Sequence, residues 1–227
     1  MNPLFRRFCG VLLIMAGLSL SLAGVLFPYF GATQEGLLIQ AMATDPLHLG
    51  GSLFCQIVAS VCLMIAVLGL QRDPRARRSK TMRVGAVLLI LGVLGLGQHV
   101  WSEWSIYQNV SGDRFLFEYL FPHLPHPTQM RLPLFFWILY IGSTVYSAGF
   151  YHIDATGVWP KRLLLLGLAW GLLGSYLASA ETQALFYHGF LLCFTIAYCW
   201  LGFEVCFRFR PSRPKALAPA GREHLFD

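Results

Sequence analysis

The chain has 227 residues, 56% of them hydrophobic and only 12% charged, with a mean hydropathy of +0.58. Soluble domains carry about 25% charge, so the composition excludes an ordinary water-soluble domain. The net charge of +6 does not point to nucleic acid either, because the cations sit beside apolar blocks and form no basic face of a soluble module.

The apolar residues run in blocks long enough to cross a hydrocarbon layer of roughly 30 Å as helix. The first expected span covers 9–30, preceded by Arg6 and Arg7. Ser21-Leu22-Ala23 resembles a signal-peptidase site, but the apolar run continues through Val25-Leu26-Phe27, so this span is expected to be retained. Residues 31–48 follow, where 36–43 could lie at the interface as a short helix. A second span is expected at 49–70.

Residues 71–83 hold six of the seventeen basic side chains. A third span, 84–104, leads into a long connection, 105–131. Within it Phe115 to Phe121 is too short to cross but aromatic enough for the headgroup zone, and Pro122, Pro125 and Pro127 keep the chain extended. Spans four, five and six are expected at 132–151, 163–179 and 184–207. The tail, 208–227, carries three prolines with scattered basic residues and reads as disordered.

The expected fold is therefore all-α: a polytopic six-helix membrane bundle over 1–207 with a short basic tail. With six spans, every cation except Arg114 and Arg131 falls on one side. The positive-inside rule makes that side cytoplasmic and puts both termini there. A bacterial inner membrane is the expected location, and the bilayer itself the expected partner. Other membrane subunits are candidate partners, whereas nucleic acid is not.

Lipid offers helices no hydrophobic reason to associate, so small residues must let their backbones approach. Such residues recur at heptad spacing: Gly10, Gly17 and Gly24 in span one; Ser52, Cys55, Ala59, Cys62, Ala66 and Gly69 in span two. Gly85, Gly92 and Gly95 do the same in span three, and Gly167, Gly171 and Gly174 in span five. The six cysteines lie within or at the ends of apolar runs and form no C-x-x-C pair, so they read as packing residues.

Extending the stripes reaches ionisable residues. His99 continues the stripe of span three, and His188 lies four residues into span six. His48 opens span two, Glu103 closes span three and Glu181 follows span five. Ionisable groups inside a bilayer usually face a partner or a cavity. An outer-leaflet pocket of His48, His99, Glu103, Glu181 and His188 is the expected ligand or cofactor site. It could hold haem, a metal or a polar headgroup, since neutral imidazole is a ligand and a titratable acceptor. The competing reading gives each histidine only a hydrogen bond to a neighbouring helix or to water.

Other signals are weaker. His123 and His126 stand three apart in a proline-stiffened loop, and Asn109-Val110-Ser111 is a glycosylation sequon. Gln56 reads as an interhelical hydrogen bond, and Glu204 as a partner for Arg208 one turn on. Tyr140-Ile141-Gly142-Ser143, with His48 before it and His188 after, resembles the nucleophile region of rhomboid proteases, which would imply intramembrane proteolysis. Ile141 and Thr144 replace the two glycines of that pattern, and Ser143 should lie deeper than His188. Trp101-Ser102-Glu103-Trp104 does not match the tryptophan-rich motif of haem-handling proteins of cytochrome c maturation. The leading expectation is a small transport or accessory membrane subunit. A haem- or metal-binding redox protein and an enzyme acting on lipid or polyprenyl substrates are the alternatives.

Overall fold

A computed structural model describes residues 2–26, 46–112, 131–153, 155–177 and 180–208. Among the described residues the chain is all helical. The elements are α1 (Pro3–Leu26), α2 (Pro46–Leu70), the short α3 (Pro74–Arg78), α4 (Lys80–Gly112), α5 (Arg131–His152), α6 (Trp159–Leu177) and α7 (Ala180–Phe203). A π-helical turn, Glu204–Arg208, ends α7. Among the described residues four segments are long and apolar enough to cross a membrane: Pro3–Leu26, Gly50–Leu70, Lys80–Gln98 and His188–Arg208. Helix suits such segments because it satisfies every backbone N–H and C=O internally.

The six long helices form a closed ring. Each packs on its neighbour in sequence, skipping the short α3, and α7 returns to α1. Neighbouring helices run antiparallel, which gathers alternate connections at one end. There Gly69 at the end of α2 faces Cys9 and Phe5 at the start of α1. Nearby, the Cys206 thiol stands 3.3 Å from the Arg7 carbonyl oxygen, and Met82 of α4 packs on Gly149 of α5. The cations of α1, of the 71–83 connection and of the α5–α6 connection therefore share one end of the bundle.

The exterior is apolar. Leu18, Phe54, Val61, Val87, Leu94, Leu166, Leu173 and Leu192 are all exposed, while Ser52, Gln56, Ser143, Ser147 and Thr195 are buried. This reverses the distribution of a water-soluble protein, where polar groups take the surface.

The expected small-residue stripes lie where helices meet. A Cβ on Gly92 would stand 2.6 Å from the Cα of Leu139, and one on Gly85 would stand 2.5 Å from the backbone nitrogen of Tyr146. Gly142 of α5 returns the contact onto the backbone of Leu88 and Leu89. Gly10 and Gly202 bring α1 and α7 together in the same manner, and Gly17 meets Thr195 and Tyr198.

Three details depart from the sequence reading. The 71–83 connection contains a helix, α3, because Asp73 caps it by accepting the Arg75 N–H at 2.9 Å and Pro74 supplies a ready first turn. Helix α4 continues to Gly112, past the expected end at 104, since nothing from Ser105 to Gly112 breaks a helix once it leaves an apolar layer. Glu204 does not turn to Arg208. It is buried and accepts from Gly157 N–H at 2.6 Å and Trp200 Nε1–H at 2.9 Å, while Arg208 lies over the Phe203 ring. The interface helix expected at 36–43, the aromatic stretch 115–121 and the tail beyond 208 lie outside the described residues.

Candidate functional site

Two of the five predicted pocket side chains are described. His48 is exposed in the first turn of α2, and His188 is half-buried in α7. The backbones of His99, Glu103 and Glu181 are helical, and their side chains lie outside the described residues. Helix register still relates two of them. Gly85 faces Tyr146 and Gly92 faces Leu139, so one further heptad brings His99 level with Leu132. On α7, which runs the same way as α5, Tyr198 meets Ser143 and Phe190 meets Tyr140, so the level of His188 falls between those of Pro133 and Ile138. The two histidines thus lie toward the same end of the bundle, one to six residues apart along it.

The best-defined polar feature is one that the sequence reading did not assign. It is the inner face of α5, where Tyr140, Ser143, Thr144 and Ser147 recur at intervals of three and four and are all buried. Residues so spaced share one face of a helix. Across the ring they meet α7: Ser143 Oγ and Tyr198 Oη are 2.7 Å apart, and Ser143 also donates to the Leu139 carbonyl at 2.7 Å. Thr144 Oγ1 donates to the Tyr140 carbonyl at 2.9 Å. Thr195 of α7 reaches the Gly17 carbonyl of α1 at 3.1 Å, and Ser52 of α2 donates to Ala23 of α1 at 2.9 Å.

Aromatic rings fill the space between these hydroxyls. Tyr140 lies 4.1 Å from Phe190, Phe190 is 6.1 Å from Trp137, and Phe194 stacks on Tyr198 at 4.3 Å. Such pairs add to stability beyond the area they bury. The phenol of Tyr140 drops into the notch left by Gly167 of α6.

Among the described residues, two buried oxygens of α5, Tyr140 Oη and Ser147 Oγ, have no protein hydrogen-bond partner, and neither do Gln56 Oε1 and Ser60 Oγ of α2. A buried hydroxyl or amide without a partner is costly, and such a group ordinarily meets water or a polar guest. The α5 face is neutral throughout, so it can hydrogen-bond a guest but supplies no charge to hold an ion. At the end of the bundle Glu204 adds one carboxylate, already engaged as described.

The proteolytic arrangement is not formed. Ser143 bonds to a tyrosine and a carbonyl, and the level of His188 lies five to ten residues away along α5, about 8–15 Å. A serine needs its base within hydrogen-bond reach. Among the described residues no three His, Cys, Asp or Glu side chains converge as a metal site. No protein-family model, no curated protein and no solved structure matches this chain.

The α5 signal was available in the sequence, since Tyr140, Ser143 and Ser147 keep heptad spacing. It is hidden because hydroxyl-bearing residues in an aromatic helix look like ordinary apolar filling.

Proposed function

We propose that this chain is a six-span protein of a bacterial inner membrane, with both termini cytoplasmic, and that it serves as a small transport subunit. The observation that carries the transport reading is the buried polar face of α5, where Tyr140 and Ser147, about two turns apart, keep oxygens without a protein partner. A purely structural bundle would gain by making those positions apolar, because unpaired buried polar groups cost free energy. The topology is supported by the antiparallel ring and by the cations gathered at one end.

The direct test is solute flux. Proteoliposomes holding the full chain should swell faster than empty ones in small neutral polar solutes such as glycerol or urea. Tyr140→Phe with Ser147→Ala should slow that swelling without loss of folded protein. Swelling no faster than in empty liposomes removes the transport reading, and a membrane partner that then co-purifies stoichiometrically assigns the chain as an accessory subunit. Reporter fusions check the topology separately: positions near Lys80 and after Asp227 should report the same side, and one at Gly112 the opposite side.

That His99 and His188 lie toward the same end of the bundle supports a second reading, a haem- or metal-binding redox protein. A Soret band or stoichiometric metal in purified protein, lost in His99→Ala and His188→Ala, would replace the transport reading.

A further inference from the structure

The cations at the basic end are not scattered. Four of them lie over aromatic rings, each on a different part of the ring of helices. Arg72 sits 5.5 Å from the centroid of Phe5 at the start of α1, and Lys161 Nζ sits 4.2 Å from Tyr151 at the end of α5. Arg162 is 5.5 Å from Trp159, which opens α6, and Arg208 is 5.8 Å from Phe203, which closes α7. These distances lie within reach of a cation–π attraction. The rings of Tyr151, Trp159 and Phe203 are themselves exposed and continue the apolar flank of the bundle. The remaining arc, between α2 and α4, is occupied by the basic 71–83 connection. The described carboxylates at this end, Asp73 and Glu204, are buried and engaged, Asp73 with Arg75 and the cap of α3, Glu204 with Gly157 and Trp200.

We propose that this collar binds the headgroups of anionic phospholipids in the leaflet that surrounds it, in preference to zwitterionic ones. The inference rests on the membrane-spanning reading above. Aromatic rings at the edge of an apolar belt mark headgroup depth, and a cation held on each ring stands where lipid phosphates lie. The circumferential arrangement selects the partner. A nucleic acid or an acidic protein would meet one face of the bundle, whereas only lipid meets all sides at once. Among the described residues, the carboxylates at this end, Asp73 and Glu204, are turned away from these four cations.

The experiment uses the full chain purified in neutral detergent, with dioleoyl phosphatidylglycerol or dioleoyl phosphatidylcholine added at equal concentration. Phosphatidylglycerol should raise the melting temperature by about 2–4 °C more than phosphatidylcholine, and high salt should shrink the difference. Native mass spectrometry of the unaltered protein should show phosphatidylglycerol retained after phosphatidylcholine is stripped. The combined variant Arg72→Gln, Lys161→Gln, Arg162→Gln, Arg208→Gln should lose the preference while keeping its response to phosphatidylcholine. Equal effects and equal retention of the two lipids would overturn the proposal, whatever the variant does. Polyglutamate stabilising the protein as much as phosphatidylglycerol would overturn it in favour of an acidic protein partner. Protein that stays monodisperse without detergent would sink the membrane reading itself, whereas detergent dependence with no lipid preference sinks the collar alone.

Discussion

The α4–α5 and α6–α7 interfaces both depend on glycine, and they use it differently. Between α4 and α5 backbone meets backbone at three glycines: the missing side chains of Gly85 and Gly92 make room for the main chain of Tyr146 and Leu139, and Gly142 makes room for that of Leu88 and Leu89, while Gly95 takes the Phe135 ring and Gly149 the Met82 side chain. Between α6 and α7 a ring fills each notch. Phe186 lies against Gly174, Phe190 against Gly171, and Trp170 against Gly189. A side chain can rotate away from an added methyl group, but a helix backbone can yield only by moving the whole helix. The same residue type therefore sets inter-axial distance in one place and ring orientation in the other.

The sharpest way to break this comparison is to add one carbon on each side of it. Gly85→Ala or Gly92→Ala should force α4 and α5 apart and cost about 2–3 kcal/mol, the upper range for overpacking. Gly171→Ala should cost less than about 1 kcal/mol, because the nearest atom is the Phe190 ring and alanine regains helix propensity. Unfolding in mixed micelles measures both. Equal losses at the two interfaces would show that the ring notches are as unyielding as the backbone contacts.

A smaller effect probes the link between α5 and α7. Tyr198→Phe removes the 2.7 Å contact with Ser143 but leaves Ser143 its bond to Leu139. The expected loss is about 0.6–1.7 kcal/mol, the range for side-chain hydrogen bonds within membrane bundles. A double-mutant cycle with Ser143→Ala isolates the pair, and coupling near zero would mean that the stacked rings alone hold these helices.

The smallest change has the opposite sign. Gly97 in α4 is exposed and has no atom within 4 Å of where a Cβ would be. Gly97→Ala should stabilise the protein by up to about 1 kcal/mol through helix propensity. A loss of stability there would mean that Gly97 faces a partner in the assembled protein, and so would sharpen the account of which α4 glycines serve the ring.

Much of this architecture is legible in the sequence for a physical reason. Small residues at heptad spacing report where backbones approach, and Gly10, Gly17, Gly85, Gly92, Gly167 and Gly174 all lie in helix contacts. What fills a notch is not legible, because no local rule says that Phe190 enters the gap at Gly171 or that Tyr140 enters the gap at Gly167. The hydroxyl face of α5 escaped for a related reason. Serine and threonine in an apolar helix can bond their own backbone, as Ser143 and Thr144 do, so their spacing alone does not reveal an interior face. Glu204 shows the limit of local pairing: Arg208 is one turn away, yet the carboxylate turns to Gly157, which is distant in sequence. The candidate histidines follow from extending the small-residue stripes, which gives a helix face but not what that face meets.

The closed ring bears on how the chain is made. Helix α1 leaves the ribosome well before α7, yet Gly10 lies against Gly202, and Thr195 donates to the Gly17 carbonyl. Through most of synthesis that side of α1 has no mate and must shelter against lipid or an insertion factor. Only when the final hydrophobic segment enters can the seam shut. Nascent chains stalled before α7 should therefore leave this glycine face available for cross-linking to the insertion machinery.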